Sequence, residues 1–470
     1  MVISTLADGV LRSAWAVQDT VNDLVAAPVI RLGVTGLARA GKTVFITSLV
    51  ANLLDRGRMP HLLAQSEGRI EAAFLQPQPD DTVPRFDYER HIGALTAQPP
   101  SWPSSTRHIS ELRLSLRVRP SGLLSGLQGA RTVHIDIVDY PGEWLLDLAL
   151  LETDFESWSA ATLARLESRA EAAPFRAALA EVDPAQPLDE AQAQKLAAAF
   201  TAYLTAARAA GYYDCTPGRF LLPGDLEGSP VLTFAPLPPG DAPRRSLARE
   251  FARRFDAYKA RVVRPFFRDH FSRIDRQIVL VDALGALGAG PAALDDLRGA
   301  MGEILSAFRP GRNAFLSQLF LGRRVEKILF AATKADHLHS AQHAELSALM
   351  EALTRAARDT AQFAGAETKA MALAALRATT EAEVDHDGAP LGVVQGTLLE
   401  TGKEAAFYPG DLPDDPGHLL GPARDGAAKW PNGDYQVMRF APAPQTLRPG
   451  MGPPHLRLDH AAQFLLGDKL

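Results

Sequence analysis

An open α/β fold built on a mostly parallel sheet is predicted by three observations. Apolar segments near residues 29–35, 109–118, 132–138, 277–283, 326–332 and 370–377 alternate with stretches of helical periodicity. A glycine-rich loop with a lysine follows the first segment, and polar motifs follow two later ones. Because ligands of open α/β sheets bind beyond the carboxyl ends of the strands, the sequence predicts a binding site there.

The glycine-rich loop at residues 36–43 matches Gly-x-x-x-x-Gly-Lys-Ser/Thr, the phosphate-binding loop (P-loop) of P-loop nucleoside triphosphatases (NTPases). Its glycines let backbone N–H groups close on an anion, and the following helix adds a favourable dipole. We expect Lys42 to reach the β- and γ-phosphates and act in catalysis, and Thr43 to bind Mg²⁺. A chance glycine turn is the alternative. The predicted nucleotide-binding residues are Gly36, Leu37, Ala38, Arg39, Ala40, Gly41, Lys42, Thr43 and Val44.

A second motif, Asp-x-Pro-Gly, ends the strand predicted at 132–138 and is similar to the Asp-x-x-Gly switch of GTPases. Asp139 is expected to hold Mg²⁺ through water, and the Gly142 N–H to sense the γ-phosphate. Small GTPases carry Gln after that glycine to orient the attacking water. This chain has Glu143, which can orient water but also repels the γ-phosphate. A plain Pro-Gly turn is the alternative.

A hydroxyl that completes the Mg²⁺ site is expected before the strand predicted at 109–118. Thr106 is the predicted metal ligand, and Ser104 and Ser105 are alternatives. An ordinary loop hydroxyl would fit the same sequence.

A third motif, Thr333-Lys334-Ala335-Asp336, follows the segment at 326–332 and resembles the guanine-specificity motif of GTPases. A carboxylate accepts from both N1–H and N2–H of guanine, whereas adenine offers no such pair, and a buried group left unpaired discriminates strongly. The stem of Lys334 is expected over the ring. Asp336 as a helix N-cap is the alternative.

The last base-binding loop is expected where the segment at 370–377 ends. The Ala378 N–H is the predicted donor to guanine O6, with Thr379 beside it. A helix continuing through this Ala- and Leu-rich run is the alternative.

Four regions are predicted along the chain. They are an N-terminal helix at 1–27, a discontinuous core at 28–150 and 272–382, a helical insertion at 151–271, and a C-terminal accessory region at 383–470. The insertion directly follows the Asp-x-Pro-Gly switch, so we expect nucleotide state to move it. The C-terminal region is predicted to hold strands at 391–398 and 435–440 and to close with a helix at 460–466.

Composition narrows the function classes. The chain has 470 residues, 46% hydrophobic and 22% charged, which is ordinary for a globular protein of two or three domains. A net charge of −6 argues against bulk nucleic-acid binding, because a phosphate backbone needs a basic face. Cys215 is the single cysteine, which excludes an internal disulfide and suits a reducing cytosol.

Five stretches of the sequence are informative together. They are the P-loop string, a Trp-Pro-x-x-Thr stretch, Asp-Tyr-Pro-Gly-Glu-Trp, Thr-Lys-Ala-Asp and the terminal Phe-Leu-Leu-Gly-Asp-Lys-Leu. As a set they resemble the YcjX-like family of P-loop GTPases. The resemblance spans residue 28 to the end. It implies a GTP/GDP-binding core with a helical insertion, in a cytosolic bacterial protein linked to stress responses.

Arg39 is the fourth residue of the P-loop, and this placement resembles the loops of guanylate-binding proteins and atlastins. In those families the arginine is a finger supplied within the chain and positioned on dimerisation. A cation there offsets charge on the transferring phosphoryl group. The resemblance therefore predicts a catalytic role for Arg39 and a nucleotide-dependent homodimer. A solvent-facing arginine that packs the loop is the alternative.

The sequence thus predicts a slow, Mg²⁺-dependent GTPase that cycles between GTP and GDP as a regulatory switch. An ATP-using kinase or ATPase is one alternative, and a GDP-bound interaction protein with little turnover is another. The predicted partners are a guanine nucleotide and a protein effector, with no nucleic acid. A cytoplasmic location is expected, and the apolar stripe within residues 3–27 leaves a peripheral inner-membrane contact as an alternative.

Overall fold

The computed structural model describes most of the chain. The described residues are 27–37, 39–104, 108–121, 129–240, 242–306, 325–363, 365–425, 438–445 and 449–470. The helix predicted at 1–27 therefore lies outside them, apart from its last residue.

A seven-stranded sheet forms the centre of the molecule, in the order β2-β3-β4-β1-β5-β6-β7. The strands β4, β1, β5, β6 and β7 run parallel, and β3 pairs antiparallel with both of its neighbours, β4 and β2. The α/β prediction with a mostly parallel sheet is confirmed. The strands are β1 (Val29–Gly36), β2 (Ile70–Gln76), β3 (Ser110–Val118), β4 (Arg131–Asp139), β5 (Arg276–Val281), β6 (Lys327–Ala332) and β7 (Glu367–Ala372).

Three strands differ from the prediction, and the smallest difference is in β5, which was predicted at 277–283 and ends at Val281. The edge strand β2 was not predicted, because only Ile70 of its seven residues is fully buried and its apolar alternation is weak. The strand predicted at 370–377 is β7, which begins at Glu367 and ends at Ala372. Leu373 still bonds to β6, because its N–H donates to the Ala332 carbonyl. The chain then leaves the sheet, and the Ala374 N–H donates to the Leu456 carbonyl instead.

Helices cover both faces of the sheet. They are α1 (Lys42–Leu54), α2 (Leu63–Ser66), α3 (Tyr88–Thr96), α4 (Glu143–Leu146), α5 (Phe155–Glu167), α6 (Ala173–Ala180), α7 (Glu190–Ala210), α8 (Gly218–Leu221), α9 (Leu247–Tyr258), α10 (Arg264–Asp269), α11 (Ala283–Ala289), α12 (Pro291–Ser306), α13 (His343–Phe363), α14 (Gly417–Asp425) and α15 (Leu458–Leu466). Among the described residues, no helix is both long and apolar enough to cross a membrane.

The alternation of side chains along the central strands supplies two apolar cores. In β5, Ile278 and Leu280 face the core that includes α1, whereas Val279 and Val281 face the opposite one. The second core continues without a break into the segment at 151–271, where it includes Phe200 and Phe255. This segment is helical, as predicted, and its side chains pack in the same apolar core as one face of the sheet.

The C-terminal region holds a small antiparallel sheet of β8 (Thr380–His386), β9 (Ala389–Thr397) and β10 (Glu404–Phe407), in the order β10-β9-β8. The strand predicted at 391–398 is β9. The first half of the strand predicted at 435–440 lies outside the described residues, and its last residue, Phe440, forms a β-bridge with Leu398.

The terminal helix α15 does not close this small sheet, and that prediction is wrong. Leu458, Ala461 and Leu465 are buried in the core that contains α1 and one face of β1. The fully buried Arg276 of β5 holds the helix end, because its Nε donates to the Leu465 carbonyl at 3.1 Å and its guanidinium pairs with Asp468 at 2.7 Å.

We expect Arg276→Met to lower the free energy of unfolding by about 1–3 kcal/mol, because it leaves the Leu465 carbonyl without its buried donor. Urea unfolding followed by tryptophan fluorescence measures the change. Arg268→Ala is the matched control, since its pair with Asp269 is 64% and 40% exposed. Exposed pairs contribute about 0–1 kcal/mol. Equal losses in the two variants would contradict the anchoring role of Arg276.

Candidate functional site

The P-loop connects β1 to α1 at the carboxyl end of the sheet. Gly41 stands at the N-terminus of α1 with φ 76° and ψ 30°, and Arg39 also has a positive φ of 64°. Glycine adopts this left-handed conformation without strain, and no side chain caps the helix. The first N–H groups of a helix have no partner within it, so this end of α1 can bind an anion. Ala38 lies outside the described residues.

A cavity of about 330 Å³ opens over the P-loop, a size suited to a small ligand. It brings together most of the site residues predicted from the sequence. The predicted residues that line it are Gly36, Leu37, Arg39, Ala40, Gly41, Lys42, Thr43, Val44, Glu143, Thr333, Lys334, Asp336 and Ala378.

Three predicted residues are buried beside this lining. Asp139 ends β4 next to the end of β1, where its register partner is Val34, and it is 1% exposed. Gly142 packs against the P-loop so closely that a Cβ there would lie 2.2 Å from the Gly36 carbonyl oxygen. The Thr379 hydroxyl donates to the Asp336 carbonyl.

The Thr43 hydroxyl and the Asp139 carboxylate fit a Mg²⁺ ion. Both are oxygen ligands, which this hard cation prefers, and both are nearly buried, Thr43 in the first turn of α1 and Asp139 at the end of β4. Thr106 and Ser105 lie outside the described residues, and Ser104 is exposed.

Glu143, the residue after the Asp-x-Pro-Gly motif, forms an ion pair with the helical insertion. Its Oε1 lies 2.8 Å from a guanidinium nitrogen of Arg208, which α7 carries in its last turn. Arg208 lines the same cavity. The Arg39 guanidinium donates to the Ala209 carbonyl of the same turn at 3.4 Å. The end of α7 is therefore held by both the P-loop and the switch motif.

The segment after Glu143 is buried in the insertion. Trp144 packs edge-on against Phe266, with ring centroids 5.6 Å apart, and the Arg219 guanidinium lies 3.3 Å from the centroid of its ring. Asp147 accepts hydrogen bonds from the Gly218 N–H at 2.7 Å and the Tyr258 hydroxyl at 2.5 Å. Complete burial raises the pKa of Asp147 to about 7, although both hydrogen bonds oppose the shift.

The far end of the cavity is built around Asp336. Its Oδ2 accepts from the Ala378 N–H at 2.7 Å, and its side chain is nearly buried. Lys334 has a left-handed backbone, and its ammonium group pairs with Asp282, which caps α11 through the Gly285 N–H. This pair fixes the direction of the lysine stem along the cavity wall.

The bond between Ala378 and Asp336 bears on the predicted donor to guanine O6. The Ala378 N–H already has an acceptor, so donation to a base needs that bond to be released or shared. Ala375 and Leu376 also line the cavity, and their backbone N–H groups have no acceptor within the described chain. The assignment to Ala378 stays a prediction, with these two residues as structural alternatives.

Several residues of the site were not predicted individually from the sequence. Asp282 was detectable, because it is an acidic residue directly after a buried strand. Trp102 and Phe440 join distant segments, since the Trp102 indole N–H donates to the Phe440 carbonyl at 2.8 Å. Arg208 lies in an Ala-rich helix with no local signal, and its position follows from tertiary packing.

Comparison with known proteins gives consistent results. The sequence profile of the YcjX-like family matches residues 30–470. A protein of Escherichia coli named "Ras-like GTPase YcjX" is 39% identical over 457 residues, which cover 94% of this chain and 96% of that protein. A protein of the same name from Shewanella oneidensis is 36% identical over an alignment of 471 positions, which covers 94% of each chain.

We expect Asp147 to make the free energy of unfolding of the wild type fall as pH rises from about 4 to about 7. The folded-state pKa of about 7 lies above the usual value near 3.9, so between them only the folded state keeps the proton. Asp147→Asn removes this dependence. Relative to wild type, the variant should gain roughly 2–3 kcal/mol between pH 5 and pH 8 in urea unfolding.

Asp225→Asn is the control for this measurement, because the Asp225 side chain is 88% exposed although it also faces Arg219. Its pH profile should follow that of the wild type. An Asp147→Asn profile parallel to wild type would show that Asp147 does not carry the proton.

Proposed function

This chain belongs to the YcjX-like family, and from that premise we propose that it binds guanine nucleotides in the P-loop cavity and hydrolyses GTP to GDP with Mg²⁺. The observation that carries the proposal is the convergence of a P-loop and a Thr-Lys-x-Asp motif on the two ends of one cavity. A phosphate chain at Gly41 and Lys42 would extend its base toward Asp336.

The phosphates would be bound by the backbone N–H groups at the start of α1 and by the Lys42 ammonium group. Thr43 and Asp139 would hold Mg²⁺, which offsets negative charge on the β- and γ-phosphates when bound. Hydrolysis joins a water oxygen to the γ-phosphorus as the bond to the β–γ bridging oxygen breaks. GDP leaves with that electron pair, and the water proton passes to the released phosphate.

Guanine would be selected by Asp336. Its carboxylate is held in place by the Ala378 N–H, and it would accept from N1–H and N2–H of the base. Lys334, directed by Asp282, would cover one ring face. Adenine leaves the carboxylate without donors, which disfavours an ATP-using kinase or ATPase.

A GDP-bound interaction protein with little turnover is the second candidate. The ion pair between Glu143 and Arg208 favours it, because a carboxylate engaged by a guanidinium is less able to orient an attacking water. Single-turnover hydrolysis separates the two functions.

We also propose a regulatory role for the nucleotide cycle in the cytosol, linked to stress responses, with a protein effector and with dimerisation dependent on nucleotide. Four regions of the chain would carry this role. They are the N-terminal helix at 1–27, the core at 28–150 and 272–382, the helical insertion at 151–271 and the C-terminal region at 383–470. The burial of Trp144 and Asp147 in the insertion supports a conformational output through that segment.

Base selection is tested by titrating fluorescent GDP and ADP into the protein with Mg²⁺. Asp336→Asn should weaken GDP binding by roughly 10²–10³-fold, because two bonds to a charged acceptor are lost, and should favour xanthosine diphosphate. Asp387→Asn is the control, since its side chain is 95% exposed in a turn of the small sheet. Equal binding of GDP and ADP would remove the guanine assignment.

Turnover is tested with excess protein over GTP. A rate of about 10⁻⁴–10⁻² s⁻¹ is expected, as for GTPases without an activating partner. Lys42→Ala should abolish it, because the ammonium group contacts the γ-phosphate. Tight GTP binding with no phosphate release over a day would favour the GDP-bound interaction protein instead.

A further inference from the structure

We propose that Arg208 of the helical insertion is a catalytic residue that contacts the transferring phosphoryl group. When GTP binds, the γ-phosphate replaces Glu143 as the ionic partner of Arg208. The inference rests on the proposed GTP hydrolysis and assigns to it a residue outside every nucleotide-binding motif. It also gives the ion pair between Glu143 and Arg208 a role in the reaction.

Arg208 lies at the end of helix α7, beside the cavity. Helix α7 ends at Ala210 and is closed by Gly211 in a left-handed conformation, so Arg208 projects from its last turn. The residue lines the same cavity as Gly41 and Lys42. The insertion thus delivers a permanent positive charge to the phosphate end of the cavity.

The ion pair with Glu143 leaves part of the Arg208 guanidinium unused. Its side chain is 32% exposed, and the carboxylate it meets is 6% exposed. The described chain gives Arg208 this one ion pair, whereas a guanidinium has five N–H donors. Donors therefore remain for an anion in the cavity, and the planar group suits phosphate oxygens.

Glu143 is placed for an exchange of partners. Gly142 before it is packed on the Gly36 carbonyl, which fixes the Glu143 backbone beside the P-loop. Phosphoryl oxygens bound at Lys42 carry more negative charge than one carboxylate, and they sit in the same cavity. They would compete for the guanidinium and leave Glu143 free to face the attacking water.

Arg39 also lines the cavity, but its guanidinium contacts a backbone carbonyl and not a carboxylate. Its guanidinium donates to the Ala209 carbonyl, at the C-terminal end of α7, where a cation is favourable. Arg39 is therefore assigned a positioning role, in which it holds the turn that presents Arg208. Arg208 supplies positive charge and directed N–H donors but accepts no proton, so the proton of the attacking water still passes to phosphate.

Single-turnover hydrolysis of GTP and binding of fluorescent GDP test the assignment on the full chain. Arg208→Ala should slow hydrolysis about 10³-fold, as loss of an arginine finger does in other GTPases, and change GDP affinity less than about 3-fold. Arg208→Lys should restore little, because an ammonium group lacks the planar fork. The control is Arg253→Ala, which removes another Arg–Glu pair of the insertion whose arginine is 64% exposed.

A second measurement separates catalysis from structural support. Binding of GDP with aluminium fluoride, which imitates the transferring phosphoryl group, should be lost in Arg208→Ala and Arg208→Lys. GDP alone should still bind both variants. Arg208→Ala should lower the thermal midpoint below that of Arg253→Ala, because it leaves the buried Glu143 carboxylate unpaired, whereas Arg208→Lys keeps a cation beside it. A purely structural role would leave the ratio of the two affinities unchanged in both variants.

The outcomes distinguish this inference from the proposed function. Hydrolysis by the wild type that survives Arg208→Ala within about 3-fold overturns the inference and leaves the GTPase intact. Equal losses in GDP binding and in rate overturn it too, because Arg208 would then bind the ground state. Absence of both GTP binding and hydrolysis in the wild type overturns the proposed function itself.

Discussion

The parallel alignment of β4, β1, β5 and β6 is the constraint on which the candidate site depends. Their carboxyl ends coincide, so the P-loop, Asp139, Asp282 and Thr333 emerge at one edge although they are far apart in sequence. Little space is left for a side chain just after β4, where the chain packs against the end of β1. A Cβ on Gly142 would lie 2.2 Å from the Gly36 oxygen, so the glycine of Asp-x-Pro-Gly is required by packing before any role toward phosphate is considered.

The insertion is joined to this edge through buried polar contacts as well as apolar ones. Asp147 bonds to Gly218 and Tyr258, and Glu143 pairs with Arg208. Buried polar groups without partners are costly, so these bonds fix the register between the switch segment and the insertion. Any shift of residues 143–147 must exchange these partners as a set. This makes the segment a candidate two-state element instead of a loop that moves independently.

Sequence reasoning predicted the sheet well where strands are buried and punctuated by motifs. The bounds of β1, β3, β4 and β6 agree within one residue with the predictions. The edge strand β2 and the early end of β7 were missed, because partial burial and an unbroken Ala/Leu run leave no periodic signal. A terminal helix was predicted at 460–466, but not the surface that it covers, and Arg208 has no local signature. Both depend on contacts between residues distant in sequence, which one sequence does not encode locally.

The C-terminal region completes the wall of the cavity near Asp336, and this links it to the segment before the predicted Mg²⁺ hydroxyl. Phe440 bridges Leu398, accepts from the Trp102 indole and packs edge-on against His337, with ring centroids 5.1 Å apart. His337 directly follows Asp336. A rearrangement of residues 101–104 therefore disturbs the wall beside the predicted guanine contact. Two parts of the cavity wall thus contact different accessory regions: the insertion meets Glu143 and the P-loop through the end of α7, and the small sheet meets the wall near Asp336 through Phe440.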